Sequence, residues 1–253
     1  MKKLVTAFAL CAAMSTMAQV NSQNIVGYVT KSTTANTLDM MGVNFQNPET
    51  TTLSIQLIIP QSGFSIEGAD VLRMWNPLTQ GYASYFYFGV TYVDDTYAVE
   101  AGPGWADAAQ IRVLSSVKLD PGQGFWIKTR SAATFTIAGE IVQPTDNKVS
   151  TLANTLDMMA GTFPVSMSIQ DAVPFSGFSI EGADVMRVWN PLTQGYSTYF
   201  YFGETYLDDT YATALGAGWA DAAQIRANVT IAQGQGFWLK TRAAAVLSFT
   251  SPY

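Results

Sequence analysis

Pro121-Gly122-Gln123-Gly124-Phe125-Trp126-Ile127-Lys128-Thr129-Arg130 is a turn followed by a strand. Pro-Gly punctuates the chain. Beyond it Phe125, Ile127 and Thr129 fall on one side of an extended backbone, with Trp126, Lys128 and Arg130 on the other. A period of two is the mark of a strand with two different faces. Ala133, Phe135, Ile137 and Ile141 then alternate with Thr134, Thr136 and Glu140. The spacing predicts a second strand that folds back on the first as a hairpin, and residues 237–242 and 246–250 predict a second such hairpin.

Working outward, residues 71–75 and 82–88 read as strands joined by the turn cluster Asn76-Pro77-Leu78-Thr79-Gln80-Gly81. Residues 25–31 and 38–45 add two more. Helical spacing is weak, its best candidate being one or two turns over 166–172.

The chain also repeats itself. Ala35-Asn36-Thr37-Leu38-Asp39-Met40-Met41 returns as Ala153-Asn154-Thr155-Leu156-Asp157-Met158-Met159. Residues 62–112 return as 176–226 with about four positions in five identical, and Gly122-Gln123-Gly124-Phe125-Trp126 returns as Gly234-Gln235-Gly236-Phe237-Trp238. A period above one hundred residues is that of a domain, far longer than a solenoid repeat. Its shortening along the chain places deletions in connecting loops. The expected fold is all-β, a tandem duplication of an antiparallel β-sandwich or flattened barrel with little helix. The expected divisions are a leader at 1–18, one β copy at 19–142 and a second at 143–253. Residues 140–150 form the connection, and Glu140-Ile141-Val142 mimics Asn24-Ile25-Val26, so the last strand of the first copy is a candidate to serve both.

Composition bounds the function. Of 253 residues, 48% are hydrophobic and 13% charged, which excludes disorder. Histidine is absent and cysteine occurs once, which removes Ser-His-Asp and Cys-His nucleophile pairs and His or Cys zinc cages. The basic start Met1-Lys2-Lys3, the apolar run 4–13 and the small residues before Ala18 predict an export signal cleaved after Ala18. Cys11 leaves with it. Leu10 stands where a lipid-modified cysteine wants a small residue, which disfavours lipidation of Cys11. The mature chain then carries 11 basic against 19 acidic groups, moving the formal charge from -6 to -8. Such acidity disfavours nucleic acid and anionic lipid. No later run reaches the ~20 apolar residues of a membrane span. The expected location is secreted: extracellular, periplasmic or cell-surface.

Two groups of side chains offer chemistry. Carboxylates recur as Glu67, Asp70, Asp94, Asp95 and Asp107, mirrored by Glu181, Asp184, Asp208, Asp209 and Asp221. An acid pair across a cleft would suit glycoside hydrolysis, and Asp94-Asp95 or Asp208-Asp209 would suit calcium. Turn and edge-strand carboxylates are the plainer reading. No catalytic residue, metal site or cofactor is assigned. Aromatic residues are the better lead. Tyr85 and Tyr87 share a strand side about 6.8 Å apart, a spacing that suits stacking on successive sugar rings if that side is exposed. The candidate platform comprises Tyr85, Tyr87, Trp126, Lys128 and Arg130, with Tyr199, Tyr201, Trp238, Lys240 and Arg242 in the second copy. The alternative is that these rings fill the core.

The order Trp75-Asn76 (Trp189-Asn190), Gly104-Trp105 (Gly218-Trp219), Pro121 to Lys128 and a closing Thr134-Phe135-Thr136 resembles uncharacterised exported β-repeat proteins of Verrucomicrobia and related bacteria. It is more loosely similar to β domains of secreted Bacteroidetes proteins. The resemblance implies secretion and a β fold and brings no active site. The expected function is therefore a non-catalytic extracellular or cell-surface structural or interaction protein, with self-association or envelope components as partners. A carbohydrate-binding module is the alternative and a glycoside hydrolase the third reading.

Overall fold

The structure, a computed structural model, describes residues 26–89, 92–94, 99–113, 117–142, 147–203, 206–207 and 214–249. The leader, Cys11, Asp95, Asp208, Asp209 and the middle of the connection, 143–146, lie outside the described residues.

The molecule is all-β and built mostly from antiparallel strands. Its first half contains β1 (Val26–Thr33), β2 (Leu38–Gly42), β3 (Phe45–Gln46), β4 (Ile59–Ser62), β5 (Glu67–Asn76), β6 (Gly81–Phe88), β7 (Gly104–Ala106), β8 (Gly124–Lys128) and β9 (Ala133–Ile141). One sheet has the order β1-β9-β3, with β4 also paired to β9. The other runs β2-β8-β5-β6-β7 and continues through Ile111–Arg112, Tyr92–Asp94 and Glu100–Ala101. The second half contains β10 (Lys148–Thr151), β11 (Leu156–Ala160), β12 (Ala172–Ser176), β13 (Glu181–Asn190), β14 (Gly195–Phe202), β15 (Gly218–Ala220), β16 (Gly236–Lys240) and β17 (Ala245–Phe249). Its sheet orders, β10-β17-β12 and β11-β16-β13-β14-β15, repeat the first half's β1-β9-β4 and β2-β8-β5-β6-β7, while β3 has no counterpart among the described strands.

Each half closes a core between its two sheets. In the first, Val29, Phe45, Phe135 and Ile137 meet Met41, Leu72, Tyr87, Trp105, Phe125 and Ile127. In the second, Leu247 and Phe249 meet Met159, Met186, Tyr201, Trp219, Phe237 and Leu239. Aromatic rings meet edge to face in both: Phe64 lies 5.3 Å from Tyr87, and Phe178 lies 5.5 Å from Tyr201. That geometry sets the positive edge of one ring against the negative face of another.

Four expectations are corrected here. The strands at 124–130 and 133–141 do not form a hairpin: β8 lies between β2 and β5, whereas β9 pairs with β1 along eight residues. The chain changes sheets at the corner between them. There the Thr129 hydroxyl bonds that of Thr33, and the Arg130 N–H donates to Asp70 Oδ1 at 2.7 Å. β16 and β17 divide between sheets in the same way. Second, the strand expected over 38–45 is two strands in different sheets. Third, the helix expected over 166–172 is a single 3₁₀ turn, Ile169–Asp171, capped by Ser168 and followed at once by β12. Buried Ile169 supplies its apolar signal, and the Gln170 side chain bridges the Trp219 and Ala227 carbonyls. Fourth, β9 pairs only within its own half among the described strands, although Ile141 packs against both cores.

Candidate functional site

A third buried cluster lies between the halves: Met40 and Trp126 from the first, Met158, Trp189 and Trp238 from the second, flanked by Leu38, Trp75 and Leu156. The alternation of β2, β8, β11 and β16 creates it. Phe125 and Ile127 point into their own core while Trp126, between them, points at the other half. Met40 and Met41, Met158 and Met159, and Trp238 with Phe237 and Leu239 divide the same way. These strands are buried on both faces.

The central contacts across this seam recur with the halves exchanged. Trp126 meets Trp189 edge to face at 5.0 Å and 88°, and Trp75 meets Trp238 at 5.1 Å and 88°. The Trp189 indole N–H donates to the Leu38 carbonyl at 3.0 Å, and that of Trp75 donates to the Leu156 carbonyl. Gln194 brackets Leu38, its Nε2 donating to the carbonyl at 3.0 Å and its Oε1 accepting the N–H at 3.2 Å. Gln80 brackets Leu156 likewise, at 3.3 and 3.4 Å. Backbone bonds close the ends, Gly42 N–H to the Gly234 carbonyl at 2.9 Å and Ala160 N–H to the Gly122 carbonyl at 2.7 Å. Reciprocity of this kind is the signature of an isologous two-fold interface, here between repeats of one chain. Glycine permits the approach: a Cβ on Gly124 would stand 2.7 Å from Met158 Cγ, and one on Gly236 would stand 2.6 Å from the Met41 carbonyl oxygen.

The aromatic platform is taken apart by this arrangement. Tyr87, Trp126, Tyr201 and Trp238 are 8, 5, 8 and 4% exposed, so of the two readings these four rings follow the one in which they fill the interior. The side of β6 that carries Tyr85 and Tyr87 faces its own core, Tyr85 being half-buried at the core's margin. Tyr199 and Tyr201 repeat this in β14. The indole N–H of Trp126 is satisfied by the Tyr82 hydroxyl at 3.2 Å, and that of Trp238 by Tyr196 at 3.0 Å. Lys128, Arg130, Lys240 and Arg242 are exposed at the ends of their strands. Arg130 pairs with Glu67 at 2.9 Å and Arg242 with Glu181 at 3.0 Å. Solvent-exposed pairs of this kind contribute under about 1 kcal/mol.

The described carboxylates hold the fold. Asp107 Oδ1 accepts the N–H groups of Ala109 and Ile111, and Asp221 Oδ1 those of Ala223 and Ile225, at 2.8–3.0 Å. Asp70 is fully buried and accepts from the Ser65 and Arg130 N–H groups; Asp184 does the same with Ser179 and Arg242. Asp94 is buried at the end of its strand, and its N–H donates to the Val99 carbonyl at 2.8 Å.

Two titratable groups that sequence reasoning passed over lie beside the seam. Asp39 and Lys31 sit near Met40, Met41 and Gln235. Burial raises the Asp39 carboxyl to about 6, the nearby Lys31 ammonium opposing that rise, and burial lowers Lys31. Burial also raises Asp70, Asp157 and Asp184, against the hydrogen bonds they accept. A carboxyl raised on folding holds its proton more tightly in the native chain, so its contribution is complete below the unfolded value and lost as pH rises through the folded one. Stability is therefore expected to fall between pH 5 and pH 8, by on the order of 1 kcal/mol from Asp39 alone. Urea midpoints at the two pH values check the sign, and a higher midpoint at pH 8 contradicts it.

No family model, curated protein or solved structure matches this chain.

Proposed function

We propose that the protein is a non-catalytic structural or interaction protein of the extracellular space or cell surface. The observation that carries this reading is the reciprocal seam of Trp75, Trp126, Trp189 and Trp238. It spends the best ligand-type side chains on fusing two β repeats into one block. A rigid block presents the surface features that the repeats share twice at a fixed separation. Tyr82 and Tyr196, 48 and 44% exposed, form one such pair, and Leu78 and Leu192 at the hairpin turns form another. Paired features suit attachment to a repetitive partner, because the second contact becomes intramolecular once the first has formed. Export through the predicted leader would place the block in the envelope or outside it.

Cell fractionation combined with light scattering on the mature protein tests the proposal. Recovery in the envelope or medium, with self-association or envelope binding, is expected. A strict monomer confined to the cytoplasm overturns it.

A further inference from the structure

The two-fold relation between the halves makes two equivalent clefts, and their contents differ. One, of about 230 Å³, is lined by Trp75, Asp120, Val149, Asp157, Met158 and Met159 among others. The other, of about 140 Å³, is lined by Lys31, Asp39, Met40, Met41, Pro191, Ala232 and Gln235. The repeat equates Asp157 with Asp39, Met158 and Met159 with Met40 and Met41, Val149 with Lys31, and Asp120 with Ala232. Contacts confirm the least obvious match. A Cβ on Gly234 would stand 3.0 Å from Lys31 Cε, and one on the equivalent Gly122 would stand 2.5 Å from Val149 Cγ2.

Both exchanges run the same way. The smaller cleft holds one carboxylate and its own ammonium. The larger replaces that ammonium with an isopropyl group and adds the exposed carboxylate of Asp120, so two acids line it with no internal cation. Asp157 is 7% exposed; its carboxylate accepts the Leu152 N–H at 3.4 Å and a hydrogen bond from the Thr155 side chain, and it is in no ion pair among the described residues. Burial without a counter-charge is costly for a carboxylate, and in the twin cleft the nearby Lys31 ammonium opposes that cost at Asp39. The walls of Trp75, Met158 and Met159 match an alkyl stem, and the greater volume leaves room for one.

We propose that the larger cleft binds a primary alkylammonium group, from a free amine or from a lysine side chain, against Asp157 and Asp120 in the position that Lys31 fills in the twin cleft. This stands independently of the structural reading above, since a ligand can enter the seam of a scaffold or of any other protein.

Titration of the mature full-length chain with n-butylammonium and with Nα-acetyllysine amide, followed by the Trp75 indole N–H resonance, tests it. Saturable binding at about millimolar concentration is expected, with no matching shift from 1-butanol. Saturation by both probes indicates a site open to lysine side chains, and saturation by n-butylammonium alone indicates free amines; either supports the proposal. Val149→Lys, which installs the twin's own ammonium, should weaken binding at least about tenfold, as should Asp157→Asn. The exposed substitution Asp120→Ala, which leaves the fold intact, should weaken it about threefold. No saturable shift, an equal shift with 1-butanol, or affinities unchanged in Asp157→Asn and Asp120→Ala would overturn the proposal.

Discussion

Trp126→Ala is expected to lower the free energy of unfolding by about 3–5 kcal/mol, the range for truncating a large buried aromatic. Its ring fills the space between Met40, Trp189 and Trp238, and its removal also leaves the Tyr82 hydroxyl without its donor. Trp238→Ala should have an effect of similar size, because the same contacts recur with the halves exchanged and Tyr196 stands for Tyr82. A ring on an exposed binding face would behave differently, with truncation weakening a ligand and leaving the midpoint within about 0.5 kcal/mol. Urea denaturation of the two variants separates these outcomes.

Asp70→Ala is the second large effect, with an expected loss of about 3 kcal/mol. Removal of the carboxylate strands the Ser65 and Arg130 N–H groups in a part-buried corner, each group left unsatisfied costing about 1–3 kcal/mol. Relief of the burial penalty on the acid itself offsets part of this. Asp184→Ala should match it, since Ser179 and Arg242 make the same two bonds. Asp70→Asn keeps one acceptor oxygen and should fall between. Glu67→Ala, a few residues away on the same strand, removes only an exposed ion pair and should stay under about 1 kcal/mol. A midpoint for Asp70→Ala as mild as that of Glu67→Ala would remove the corner clamp from the account.

Much of the architecture was legible in the sequence because β periodicity is a local signal. Strands 71–75 and 82–88, with the turn between them, emerge as β5 and β6, and the two stretches of similar sequence share the orders β1-β9-β4 and β2-β8-β5-β6-β7 with β10-β17-β12 and β11-β16-β13-β14-β15. What covers a strand face was not legible. Alternation separates Trp126 from Phe125 and Ile127, but an outward face reads alike whether water, a ligand or another repeat lies against it. The hairpin expected from β8 and β9 failed for a related reason. Short separation favours pairing, yet β8 is completed on both edges by β2 and β5, and eight residues of β1 claim β9. The carboxylates at 70 and 184 look like any turn acid until their backbone partners are seen. The exchanges of Lys31 for Val149 and Asp120 for Ala232 were visible in the repeat, but only the two-fold packing brings them together in one pair of clefts.

A double-mutant cycle between Trp126 and Trp189 tests the seam most directly, because the two rings belong to different repeats and touch only if the halves pack as described. Leucine at each position keeps apolar bulk while removing the edge-to-face contact. The account predicts that Trp126→Leu and Trp189→Leu are non-additive in urea unfolding, with a coupling of about 1 kcal/mol. Additivity to within about 0.3 kcal/mol would contradict it.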